Sequence, residues 1–142
     1  MSCEELLEVI KRGQEQYRCL QAEAEALLAD FDACGNGVCE ARIARRQECI
    51  QTIQDVDDYL SDVDHAQVEL DAESREAVAG YRRLQEAATK RILELDALVI
   101  ALAGTRMDSL RGQLAALSRG KVAYGCYERS GRIPRRHFDD IA

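Results

Sequence analysis

The sequence predicts an all-α protein: an elongated three-helix antiparallel bundle or coiled coil with a long third helix and a flexible C-terminal tail. Aromatic residues make up 5%, Trp is absent, there is one Pro, and 32% of residues are charged, a balance typical of long helices. Apolar residues recur every three or four positions along three long stretches. We expect a helical bundle over 1–118, with helices at about 2–33, 38–64 and 72–118, and a basic tail over 119–142.

The first helix is predicted to begin at the N-terminus, where Ser2 and Glu5 have the spacing of a capping box. Its apolar residues lie on one face of the helix, which we expect to pack against a partner helix. These residues are Leu6, Ile10, Tyr17, Leu20, Ala24, Leu27 and Phe31. Gly35, Asn36 and Gly37 are predicted to end the helix, because Gly and Asn tolerate the left-handed backbone found at helix ends.

The second helix is predicted from about Val38, and the short connection makes it antiparallel to the first. Its apolar positions are Ile43, Ile50, Ile53, Val56, Leu60 and Val63, interrupted by Arg42, Arg45 and Arg46. If the hairpin folds about Asn36, residue numbers facing each other sum to about 73. Cys19 and Cys49 are then expected to lie about one helical turn out of register, as packing residues rather than a bridge.

Asp71 or Ser74 is predicted to cap the third helix. Its stripe runs through Val78, Tyr81, Leu84, Ala88, Ile92, Leu95, Val99, Leu102, Leu110, Leu114 and Leu117. A helix of roughly 45 residues is too long for a small core to cover, so part of this stripe is expected to be exposed or shared. A bend near Gly104 is compatible with the sequence, and past Gly120 the apolar period ends.

The net charge of -7 argues against general nucleic-acid binding, which requires a basic face. The charge is uneven: from Ser118 onward six basic and three acidic residues give +3, which leaves -10 for the rest. The basic residues are Arg119, Lys121, Arg129, Arg132, Arg135 and Arg136. We therefore expect the tail to have its own partner.

The sequence predicts a cytoplasmic chain with no stable membrane insertion. Acidic residues stand at the start, where a signal peptide needs a basic region. No stretch approaches the roughly 18 apolar residues of a membrane span. Cysteines in this compartment normally stay reduced.

Cys34 and Cys39 flank Gly-Asn-Gly and have the spacing of two zinc ligands. Nothing nearby supplies the other two, since the histidines are His65 and His137 alone. We interpret the segment as a helix turn, with a metal site and a disulfide as weaker alternatives. The acidic stretch 55–73 lacks the central Gly of an EF-hand loop. No catalytic motif is present, so neither enzyme activity nor a cofactor or metal is expected.

Four segments resemble FlgN/FliT-type flagellar export chaperones. R-I-L-E-L-D-A-L-V-I-A-L (91–102) and R-M-D-S-L-R-G-Q-L-A-A-L-S-R-G-K-V-A-Y (106–124) look like the second half of that family. E-A-E-A-L-L-A-D-F-D (23–32) and A-R-R-Q-E-C-I-Q-T-I (44–53) are similar to its first half. The likeness covers most of the chain in length and helix order.

The resemblance implies a chaperone that binds the disordered C-terminal part of a late export substrate, such as a hook-filament junction or filament cap protein. It would keep that substrate unassembled and present it to the export apparatus, with Tyr124 contacting the export gate. The implied substrate-binding residues are Leu95, Leu98, Val99, Leu102, Leu110, Leu114 and Leu117. The alternative is a structural coiled-coil protein, for example a homodimer, that self-assembles through the same stripe.

Overall fold

A computed structural model describes the backbone of residues 2–32 and 36–141, and the side chains of 2–32 and 39–129. It contains α1 (Cys3–Ala29), α2 (Asn36–His65) and α3 (Ala72–Ile141), and the described residues include no strand. The predicted all-α helical bundle is confirmed. The chain divides into two compact units, Met1–Ile100 and Ala101–Ala142.

Helix α1 begins with the predicted capping box. The Glu5 N–H donates to Ser2 Oγ at 3.1 Å, and the Ser2 N–H donates to Glu5 Oε2 at 3.2 Å. The helix ends at Ala29, and the Asp30 N–H donates to the Ala26 carbonyl at 2.9 Å. This end precedes the predicted one near 33. Residues 33–35, which hold Cys34 and the first Gly of the predicted turn, lie outside the described residues.

The core of the first unit is formed by apolar faces of α1, α2 and the part of α3 before Ile100. Its buried cluster contains Leu6, Ile10, Tyr17, Leu20, Ala24, Cys49, Ile53, Val56, Leu60, Tyr81, Ala88, Ile92 and Leu95. Most of these residues belong to the apolar stripes expected from the sequence. Burial of this kind is the main favourable contribution to folding.

The Tyr81 side chain of α3 packs against α1 at Gly13, where the apolar stripe of α1 has a gap. A Cβ atom at position 13 would lie 2.7 Å from Tyr81 Cε2, closer than two carbon atoms can pack. The Tyr81 ring also meets Tyr17 edge to face, with 6.0 Å between ring centroids. Gly13 is therefore a packing requirement: its missing side chain provides the space for the tyrosine ring.

Helix α3 begins beside the turn that follows α2. The Ser74 N–H donates to Asp71 Oδ1 at 2.8 Å, so Asp71 acts as the N-cap, one of the two predicted candidates. Interaction with Ser74 holds the pKa of Asp71 below its usual value. In the same turn Gln67 adopts φ 49°, a left-handed conformation uncommon for a residue with a side chain.

Arginines at the start of α2 form ion pairs with the neighbouring helices. Arg42 contacts Glu23 and Asp30 on α1, each at 3.0 Å. Arg46 makes a bidentate pair with Asp96 on α3, at 2.9 and 2.7 Å. These residues, which interrupt the apolar stripe in sequence, thus connect α2 to both of its neighbours.

The third helix continues to Ile141, whereas the sequence predicted its end near 118 and a flexible tail from 119. Gly120 and Gly125 are helical. Each Gly costs about 1 kcal/mol relative to Ala in a helix interior, which neighbouring helix formers can offset. No helix within the described ranges 2–32 and 36–141 is both long and apolar enough to cross a membrane.

Candidate protein-binding surface on helix α3

In the second unit, the described side chains of α3 (101–129) leave many large apolar groups exposed. Their exposed fractions range from 44% to 77%. They are Leu102, Met107, Leu110, Leu114, Leu117, Val122, Tyr124 and Tyr127. Exposed apolar residues at this density are typical of protein-binding surfaces.

Five of these residues lie on one face of the helix and are called the α3 seam below: Met107, Leu110, Leu114, Leu117 and Tyr124. Successive members follow steps of three, four, three and seven residues, which is the heptad spacing of helix-to-helix contacts. Lys121 occupies the one polar position within this pattern. The seam can therefore accept an amphipathic helix with matching spacing.

Leu102, Val122 and Tyr127 are exposed but lie roughly 90° or more around the helix from the centre of the seam, at 100° per residue. The sequence prediction included Leu102 and omitted Met107. Met107 is 53% exposed and stands three residues before Leu110. The spacing of three and four residues is a sequence signal that could have identified Met107. The predicted stripe omitted it because it was drawn mainly from leucines.

Three predicted binding residues fall in the first unit, and their environments differ. Leu95 is 2% exposed and belongs to the core cluster, so its place in a cargo-binding surface is corrected to a core position. It continues the α3 stripe of Tyr81, Ala88 and Ile92, which packs within the bundle. Leu98 is 51% exposed and Val99 is half-buried.

Tyr124 is predicted just after the third helix, but it lies within α3 and is 64% exposed. Its ring continues the seam beyond Leu117, so it is available for contact with the same kind of partner. An exposed tyrosine offers a large apolar area with a hydroxyl at one end, a combination frequent at interfaces.

Basic residues predominate in the segment of α3 that carries the seam. Between 101 and 129 there are five basic and two acidic side chains. These are Arg106, Arg111, Arg119, Lys121 and Arg129, with Asp108 and Glu128. Arg111 and Asp108 form a loose exposed pair at 3.9 Å, which contributes little. The net positive charge of this segment therefore favours an acidic partner.

The surface on α3 suits burial of a partner. No group of three or more His, Cys, Asp or Glu side chains that could hold a metal ion occurs within the part of the chain that the structure describes. The apolar spacing and the net positive charge of the segment 101–129 are the properties that a binding partner would recognise. No protein family model, curated protein or solved structure matches this chain.

Proposed function

We propose that the chain is a cytoplasmic export chaperone of the FlgN/FliT type. It binds the C-terminal helical segment of a late flagellar substrate, such as a hook-filament junction or filament cap protein, prevents premature assembly and delivers the substrate to the export gate. The observation that carries the proposal is the α3 seam, a heptad-spaced row of apolar side chains that are exposed. The activity involves binding alone and no enzymatic step.

Burial of apolar surface provides the binding free energy. Fully burying a large apolar side chain is worth about 1.5 to 3 kcal/mol relative to leaving it exposed. Folding a disordered segment as it binds costs about 2 to 5 kcal/mol or more. Because the five seam residues are only partly exposed in the free chain, the balance favours a moderate affinity. Moderate affinity suits a cargo that must be released.

Charge adds selectivity to this binding. The excess of basic residues in the segment 101–129 attracts a cargo helix that carries Asp or Glu beside its apolar face. Tyr124 is proposed to contact the export gate, as the family resemblance implies. Its position on the seam further suggests that gate contact and cargo contact use adjoining parts of α3.

The test is direct binding of cargo peptides to the full chain, measured by fluorescence anisotropy. Peptides from the C-terminal regions of the hook-filament junction and cap proteins of the same genome serve as probes. Replacing Leu110 and Leu114 with Asp should weaken binding by at least about tenfold, since charged groups cannot be buried without a partner. Circular dichroism should show unchanged helicity, because both side chains are exposed.

The matched control is Ala115→Asp, which adds an acidic group on a different face of the same helix. Its binding should stay within about twofold of the unmodified chain, since an isolated exposed charge has a small effect. Equal weakening by the control would indicate a general charge effect. Failure of the unmodified chain to bind any of these peptides would contradict the proposed function.

A second candidate is a structural coiled-coil protein that self-assembles through the α3 seam. The heptad spacing of the seam favours it, because two copies of such a helix can bury each other's apolar residues. Sedimentation equilibrium across a range of concentrations distinguishes the candidates. A stable dimer that dissociates in the Leu110→Asp, Leu114→Asp variant and excludes cargo peptides would favour self-assembly over the chaperone.

A further inference from the structure

Two cysteines meet across the α1–α2 pair in the first unit, where the sequence predicted them to be a turn apart. Cys19 of α1 and Cys49 of α2 line one surface cleft, together with Gln16, Arg45 and Glu48. Cys19 packs against the buried cluster that contains Cys49, and the two side chains are close enough for Cys19 to raise the pKa of Cys49. The predicted register is therefore wrong, because α1 ends before 33 and α2 begins before 38.

An ion pair fixes this register independently of the cysteines. Arg45 Nε lies 3.4 Å from Glu23 Oε1. Glu23 is one helical turn after Cys19, and Arg45 is one turn before Cys49, so in an antiparallel pair the two contacts lie side by side. The Arg42–Glu23 pair at 3.0 Å belongs to the same arrangement.

The two thiols differ in their access to solvent. Cys49 is 2% exposed and belongs to the core cluster. Cys19 is half-buried and packs against the edge of that cluster. A small reagent that enters the cleft therefore reaches Cys19 first.

The charged groups around the pair also differ between the two sulfurs. Arg45 lines the same cleft as Cys19, and interaction with Cys19 raises the pKa of Arg45, which places a guanidinium beside the accessible sulfur. Burial and the neighbouring Cys19 thiol together raise the pKa of Cys49 to about 11, against a lowering by Arg45. Cys49 therefore remains a neutral thiol near pH 7, and a partly exposed cysteine beside a cation is the kind that reacts first.

We propose that Cys19 and Cys49 form a redox-active dithiol whose substrate is a hydroperoxide, with Cys19 as the reacting cysteine and Cys49 as the resolving cysteine. One accessible and one buried thiol share this cleft, and an arginine lies beside the accessible sulfur. This arrangement matches that of a reactive cysteine next to a resolving one. The product is a disulfide that links α1 to α2. This site is separate from the α3 seam and does not depend on the proposed chaperone function.

The reaction with hydrogen peroxide balances in two steps. The Cys19 sulfur, as thiolate, attacks one peroxide oxygen; the O–O bond breaks, Cys19 becomes a sulfenic acid, and the departing hydroxide takes up the thiol proton as water. The Cys49 sulfur then attacks the Cys19 sulfur; the S–S bond forms, the S–O bond breaks, and hydroxide leaves with the Cys49 proton as a second water. Two thiols and one peroxide give one disulfide and two waters.

The experiment treats the reduced full chain with equimolar hydrogen peroxide and maps thiols by mass spectrometry after non-reducing digestion. A variant with Ser at Cys3, Cys34, Cys39 and Cys126 isolates the proposed pair. Both forms should yield a peptide linked through Cys19 and Cys49. The cross-link should raise the melting temperature by more than about 5 °C, since it closes a loop of roughly 31 residues.

A second variant separates the two roles. In Cys49→Ala the sulfenic acid should persist on Cys19, where dimedone traps it.

Arg45→Ala should slow the loss of the Cys19 thiol by about threefold or more, and Arg45→Lys should restore most of the rate. Thr52→Ala, which changes the lining of the same cleft without changing a charge, should leave the rate unchanged.

Three results would overturn the proposal. The first is that Cys19 and Cys49 both remain thiols after the exposed Cys126 has been oxidised. The second is a linked peptide that joins either cysteine to another position in the unmodified chain. The third is a Cys49→Ala protein whose helical circular dichroism is normal but whose Cys19 is not trapped by dimedone. An Arg45→Ala rate equal to that of the unmodified chain would contradict the role given to Arg45.

Discussion

At the scale of single residues, the fit between Gly13 and Tyr81 is the most restrictive contact in the bundle. Tyr81 is fully buried, and its hydroxyl donates to Asp57 Oδ1 at 3.5 Å. Its ring occupies the space that any side chain at position 13 would need. A methyl group there forces either the ring or the α1 backbone to move, and such movement is costly in a close-packed interior.

Gly13→Ala is therefore expected to destabilise the protein by about 1 to 3 kcal/mol, although Ala has the higher helix propensity. Urea denaturation followed by circular dichroism measures the change. Gly104→Ala is the matched control: no atom lies within 4 Å of a Cβ at that position. There the substitution meets no clash, so the free energy of unfolding should not fall. Stabilisation by both substitutions would contradict the packing described for Tyr81.

The sequence predicted individual core residues well but predicted contacts between them poorly. Leu6, Ile10 and Val56 follow from spacing, since every third or fourth position of an amphipathic helix faces the core. The Cys19–Cys49 contact was not predicted from the sequence. An error of a few residues in a predicted helix end changes which residues of the two helices face each other. Register across a hairpin depends on loop geometry, which the spacing of apolar residues does not contain.

At the scale of the helices, the start of α3 depends on a hydrogen bond from its own first turn. Asp71 accepts from the Ser74 N–H, and the carboxylate also interacts favourably with the helix dipole. The Asp71 pKa is lowered in the folded chain, chiefly by interaction with Ser74. The charged form is thus the one that the folded state favours.

Asp71→Asn should remove part of the acid sensitivity of the protein. A carboxyl group whose folded pKa is depressed contributes stability above its unfolded pKa of about 3.9 and loses it as pH falls through the folded pKa. The melting temperatures of the unmodified chain and the variant should differ at pH 6 and converge toward pH 2. Glu73→Gln, in the same turn, is the control. A constant difference across this range would contradict a charged cap.

Helix identity was predictable, whereas helix ends were less so. The three periodic stretches account for α1, α2 and α3 because amphipathic spacing is a strong signal over many residues. The end of α3 was not predictable from Gly120 and Gly125. A glycine lowers helix stability by about 1 kcal/mol but does not prevent a helix. Composition alone does not show whether the helix propensity of the neighbouring residues offsets that loss.

At the scale of the whole molecule, the two units differ in how much apolar surface they cover. The buried cluster lies entirely within 1–100. Between 101 and 129 no large apolar side chain of the described structure reaches burial. The sequence predicted a partly uncovered third helix from its length. Of the residues assigned to its binding surface, Leu98, Leu102, Leu110, Leu114 and Leu117 are exposed, whereas Leu95 is buried. The boundary between buried and exposed apolar residues of α3 depends on how far the apolar faces of α1 and α2 extend along it.

A chain truncated after Ile100 is expected to keep the stability of the first unit. It should unfold cooperatively in urea, with a midpoint close to that of the full chain, because the core cluster remains complete. The same truncation should abolish binding of the cargo peptides, since it removes the α3 seam. Loss of cooperative unfolding would show that residues after 100 support the core, and retained cargo binding would place the binding surface elsewhere.

The space left by Gly13 also has an evolutionary consequence. Because the Tyr81 ring fits only where α1 lacks a side chain, the sizes of the residues at positions 13 and 81 are coupled. In diverged homologues, we expect a side chain at position 13 to occur together with a much smaller residue at position 81. Such paired exchanges would mark chains that keep this crossing of α1 and α3 even where the rest of their sequences no longer resemble each other.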